Sequence, residues 1–194
     1  MGAAGGIFAA LKRATVALVK GTTTMISTTA TWLAFLLFAG TMTYAGIKDV
    51  MTMTISNRLV GFLLVAFAVL APLAGVDLPM IWSSILVASA VLAFTFTFFA
   101  LGWIGGGDAK LLPVAVLWLG AGLALPFVVC ASVLGAVLTL SLMQFRKMPL
   151  PVLLQKRAWS SRLHTPQTGI PYGAAMAPAA LLLLPESHWF AALL

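Results

Sequence analysis

The 194-residue chain contains four carboxylate side chains: Asp49, Asp77, Asp108 and Glu186. Two of them stand where chemistry is possible. Asp49 follows an apolar run. Asp108 closes Gly105-Gly106-Gly107-Asp108, ahead of Ala109, Lys110 and Leu111, between two further apolar runs. Carboxylates brought close together cannot both ionise, so they share a proton. One is then a base and the other an acid, and the roles exchange as a reaction proceeds. Amide hydrolysis asks for this combination, a water made nucleophilic and a proton delivered to the leaving nitrogen. Such a pair titrates jointly, so neither member receives a fixed role. Glycines 105–107 allow backbone conformations closed to other residues, and they let a peptide approach and pair as an added strand. Lys110 can tune the acids or bind a headgroup phosphate.

The bland readings stand beside these. An Asp at the end of an apolar run is often a solvated cap, and glycine-rich turns between spans are common. Asp77 and Glu186 read as turn and tail residues. His164 and His188 have no second ligand nearby. The lone cysteine, Cys130, lies in an apolar run, which excludes an intrachain disulfide and a cysteine zinc site. No metal and no cofactor are expected.

Composition decides what holds these residues. The chain is 62% hydrophobic and 8% charged, against roughly a quarter charged in soluble domains. It cannot cover a water-facing surface, so an all-α, polytopic membrane bundle of about six helices is predicted. The formal net charge of +7 points to cytoplasmic loops and lipid headgroups rather than nucleic acid.

Residues 1–30 form an N-terminal extension, interfacial or disordered, with Ile7, Phe8, Leu11 and Leu18 on one face of a possible amphipathic helix. Residues 31–184 form the membrane domain and 185–194 a tail. The first span is placed at about Trp32 to Ile47, reaching back to Ser27 if it is to cross. A polar break, Lys48–Leu59, follows. Further spans are placed at Leu59–Gly75, Met80–Leu101, Lys110–Leu119, Ala124–Met143 and from Pro171-Tyr172-Gly173 to Leu184. The fourth is short and must begin near Asp108. Residues 144–170 read as a long polar loop, part of it lying along the membrane through Leu150, Val152, Leu153, Leu154 and Trp159.

Six spans place the breaks at 48–58, 102–110 and 144–170 on one side. That side carries Lys48, Arg58, Lys110, Arg146, Lys147, Lys156, Arg157 and Arg162, eight of the eleven basic residues. The positive-inside rule makes it cytoplasmic, and Asp49 and Asp108 both face it. Lys12, Arg13 and Lys20 argue the opposite way.

At these residues the chain resembles the type IV prepilin peptidases, a GxGD aspartyl protease family. It is most similar to their short TadV/CpaA-like form, which serves Flp (tight adherence) pili. The family's Asp after the first span, followed by an Ile-Pro-Asn-x-Leu-like stretch, is met by Asp49 and Ile55-Ser56-Asn57-Arg58-Leu59, with Ser56 where the pattern has proline. Gly-x-Gly-Asp-x-Lys-Leu is met by Gly105, Gly107, Asp108, Lys110 and Leu111, and Pro-Tyr-Gly by Pro171-Tyr172-Gly173. The resemblance implies that Asp49 and Asp108 are the catalytic pair, with Gly105, Gly106, Gly107, Lys110 and Asn57 shaping the site or binding substrate. It implies cleavage of a prepilin leader at the cytoplasmic face of the bacterial inner membrane, with membrane lipid and pilus-assembly proteins as further partners. Longer family members also methylate the new N-terminus, through a domain with paired Cys-x-x-Cys zinc ligands. This chain lacks those ligands, so peptidase activity alone is expected. The competing readings are another GxGD intramembrane protease and a non-catalytic pilus-assembly membrane protein. Presenilin-like enzymes place an Asp within a span beside a Tyr; Tyr44 lies near Asp49, but Asp49 lies beyond the span, which favours the prepilin peptidases.

Overall fold

The computed structural model describes the backbone of residues 2–150 and 157–191, and the side chains of 15–150, 157–165 and 167–190. The chain runs α1 (Gly2–Thr52), α2 (Asn57–Leu73), α3 (Leu78–Ala100), α4 (Asp108–Leu119), α5 (Ala124–Lys147), α6 (Ala158–His164), α7 (Gly173–Leu183) and α8 (His188–Ala191). Short 3-10 turns fill Ala121–Leu123, Pro166–Thr168 and Leu184–Glu186. No strand occurs among the described residues, and the all-α reading holds. Among the described residues, three stretches are long and apolar enough to cross a membrane: Thr15–Thr52, Leu78–Ala100 and Ala121–Lys147. Shorter apolar helices stand at Asn57–Leu73 and Gly173–Glu186. Exposed Leu86, Phe94 and Phe96 on α3, and Val129, Val133 and Val137 on α5, suit lipid rather than water.

α1 is longer than the first span expected from sequence. It continues unbroken through the threonine run, whose hydroxyls fold back onto the helix. Thr24, Thr28 and Thr29 donate to the carbonyls of Lys20, Thr24 and Met25. A hydroxyl satisfied within its own helix no longer competes for the backbone. Residues 15–26 are exposed. Contact with the bundle begins at Ser27, which donates to the Ala74 carbonyl at the end of α2 at 2.8 Å. The amphipathic reading of Ile7, Phe8 and Leu11 concerns side chains outside the described residues.

α4 lies at the centre. Its 12 residues rise about 18 Å, well short of a bilayer core of about 30 Å. It is sheltered by protein instead, with Leu111 and every residue from Pro113 to Leu119 buried. Irregular backbone at membrane depth is tolerated where protein covers it, and here Gly120 and a 3-10 turn continue from α4. Around its C-terminal end lies an aromatic core. Phe38 stacks on Trp118 at 5.2 Å, and Phe67 meets Trp118 edge-on. The indole N–H groups of Trp118 and Trp189 donate to the Leu63 and Trp118 carbonyls. Trp189, in the stretch read as a tail, is therefore core, 1% exposed.

The polar loop read at 144–170 contains more structure than expected. α5 continues to Lys147, and α6 buries Ser160 and Leu163. Val152, Leu153, Leu154 and Lys156 lie outside the described residues.

Candidate active site

Asp49 stands in the last turn of α1, inside the helix rather than beyond it, and is 5% exposed. Three residues earlier, on the same face, Gly46 lets α7 come close. A Cβ at Gly46 would lie 2.8 Å from the Ala177 Cβ. Such small-residue contacts let membrane helices approach backbone to backbone. One turn before Ala177, α7 begins at Gly173, whose N–H donates to Asp49 Oδ2 at 2.8 Å. A Cβ at Gly173 would meet the same oxygen at 2.8 Å. The free N–H of a helix start therefore holds Asp49, and only glycine leaves room for it.

Asp108 is the first residue of α4. Gly102, with φ +75°, turns the chain out of α3, supported by bonds from Gly102 and Trp103 back to Phe99 and Phe98. The loop then reaches α4, whose start is fixed from α3 by a buried bond from the Thr95 hydroxyl to the Ala109 carbonyl at 2.9 Å. None of Gly105, Gly106 and Gly107 has a positive φ. The conformational reason expected for these glycines is thus replaced by a steric one. Added Cβ atoms would come within 3.0 Å of Asp108 Oδ2, the Phe99 ring and Ile55 Cβ, respectively.

Asp49, Asp108 and all three glycines line one cavity of about 690 Å³. Met53, Thr54 and Ile55 form one side, and Trp103 and Ile104 another. Thr168, Gly169, Ile170 and Tyr172 form a third. The two acids are within electrostatic reach of each other. Met53, in the left-handed region at φ 55°, ends α1 beside Asp49. Two carboxylates lining one cavity can activate a water and protonate a leaving amine.

Other sequence candidates lie apart. Lys110 Nζ donates to Asn57 Oδ1 at 3.0 Å. The pair joins the starts of α2 and α4, and neither residue lines the acid cavity. Tyr44 faces Lys48, Arg58 and Phe62 on another side of α1, away from Asp49's cavity. Asp77 precedes α3, and Glu186 lies beside Met80 and Gly120, at the opposite end of the bundle. No cluster of metal-ligating side chains occurs among the described residues. Gly173 and Tyr172 enter the site without having been assigned to it from sequence. Their signal was the Pro-Tyr-Gly that opens the last helix.

Residues 36–140 match the type IV leader peptidase family. No curated protein and no solved structure matches the chain. The matched segment is more than half of the chain and contains Asp49, the glycine loop and Asp108, so this integral membrane protein belongs to the type IV leader peptidase family.

Proposed function

We propose that the chain is an aspartic endopeptidase that removes the leader of Flp-type prepilins at the cytoplasmic face of the bacterial inner membrane, without methylating the new N-terminus. The observation that carries this reading is that Asp49, from the end of α1, and Asp108, from the start of α4, face one cavity. Asp49, held through one oxygen by the Gly173 N–H, and Asp108, beside Gly105, act as a pair. One takes a proton from water while the other delivers one to the leaving nitrogen. Lys48, Arg58, Lys110 and Arg146 lie at the acid end, which supports a cytoplasmic site by the positive-inside rule. The single cysteine leaves no paired-thiolate zinc site within the 194 residues, which supports peptidase activity alone.

The test is co-expression with a Flp-type prepilin, for the wild type and for Asp49→Asn and Asp108→Asn separately. Asparagine keeps size and polarity but cannot exchange the proton. The wild type is expected to trim the leader. Each variant, present at normal level, should lower cleavage by at least about a thousandfold. Cleavage by either variant would sink the two-carboxylate mechanism. Failure of the wild type on every pilin offered would favour a non-catalytic assembly role.

A further inference from the structure

Arg146 stands in the last turn of α5, half-buried, and its charge is directed at main-chain carbonyls. Its Nε donates to Leu163 at 2.8 Å and its Nη2 to Gly169 at 2.6 Å. The first bond has a bland explanation, because Leu163 lies in the last turn of α6, where carbonyls lack helical partners. The second does not. Gly169 is beyond α6, at a turn with φ +79°, and it belongs to the Thr168–Ile170 stretch that lines the acid cavity. From the other side, the Thr168 hydroxyl bonds back to the Arg162 and Thr165 carbonyls. The stretch is thus fixed at Thr168 and Gly169, and one planar guanidinium spans two carbonyls that an ammonium cannot bridge together.

We propose that Arg146 is a positioning residue for substrate. It holds Thr168–Ile170 as the wall facing the glycine loop, so that the chain to be cut lies between two backbone surfaces. The proposal rests on the peptidase reading above. It concerns a part of the protein outside the family match, which ends at residue 140. Loss of the fork releases the wall. The acids are expected to stay in place, because Arg146 bonds neither of them, nor Gly173.

The test compares full-length wild type, Arg146→Lys and Arg146→Ala in proteoliposomes, with Lys147→Ala as a control for charge on the same turn. Both Arg146 variants should raise KM for prepilin about tenfold and leave kcat within about threefold. Lys147→Ala should change neither. Wild-type KM in Arg146→Lys would overturn the proposal, since charge alone would then suffice. A fall in kcat with unchanged KM would also overturn it, as would a loss explained wholly by unfolded protein. A second readout needs no activity. In a Cys130→Ala background, Ile170→Cys should react faster with a soluble maleimide when Arg146 is Lys than when it is Arg. Equal labelling rates sink the wall, whereas a wild type that labels as expected but cleaves nothing sinks the peptidase reading instead.

Discussion

Gly173 has no side chain, yet its place in the site is as restricted as that of either acid. Its N–H reaches Asp49 at 2.8 Å, and a methyl group there would press against that same oxygen at 2.8 Å, closer than real Cβ contacts. Gly173→Ala should therefore push Asp49 aside without altering the charge of the cavity. Prepilin cleavage is expected to fall at least tenfold, about 1.4 kcal/mol of transition-state stabilisation, while the protein still inserts. Full activity in this variant, measured in the same co-expression assay, would mean that the bond does not orient Asp49 for chemistry. Ser56 is the reverse case, a departure from the family pattern that the backbone accommodates. Its φ of −75° and ψ of 142° are values proline itself adopts, so the local turn into α2 keeps the shape the pattern implies.

At the scale of elements, the contact of α1 with α7 carries one acid and the contact of α3 with α4 the other. Gly46 and Ala177 set the first contact at van der Waals limit. A larger residue at 46 must part the helices or distort them. Overpacking of this kind costs about 1–3 kcal/mol, and it would carry Asp49 away from Gly173 as well. Gly46→Leu is thus expected to lower the melting temperature in detergent and to reduce cleavage. Gly40→Leu, six residues earlier with open space around its Cβ position, should do neither. Equal behaviour of the two variants would show that the close approach is not what positions Asp49. α4 reaches the same result differently. It is too short to cross a bilayer but is enclosed by its neighbours, so its first residue can be a carboxylate opening onto a cavity while its last turn lies in an aromatic core.

The whole molecule is divided by end. The acids, the glycine loop and Arg146 occupy one end, and the aromatic core, Gly120 and His188 lie toward the other. His188 packs against Trp189 at 4.6 Å, and its buried Nε2 has no hydrogen-bond partner. Burial lowers its pKa from 6.5 to about 4. The folded protein therefore holds this imidazole neutral, while the unfolded chain takes up a proton first as pH falls. Stability is present in full above about pH 6.5 and is lost progressively down to about 4. Thermal melting of detergent-solubilised protein should show this loss, and His188→Gln should lack the part due to the imidazole. Identical pH slopes for the two would remove His188 from the account.

Much was legible in the sequence because lipid imposes simple rules. A chain with so few charges must be helical and membrane-embedded, and each apolar run after the first marks an element to within about four residues. The two acids stood out because the chain has only four carboxylates and these two fall at one face of the bundle, and the glycine loop because three glycines directly precede one of them. Helix ends were harder. Hydropathy registers Lys48 and Asp49 as a break, whereas α1 continues to Thr52 because a helix end is decided by hydrogen bonds and by Met53. The threonine run reads as polar but is helical, since its hydroxyls are satisfied within α1. The tertiary structure alone decided that Asp49 and Asp108, 59 residues apart, face one cavity, that Gly173 holds the first, and that Arg146 fixes the third wall. Those relations depend on distances between elements far apart in sequence, set by where side chains are small enough to let helices meet, and no local pattern encodes them.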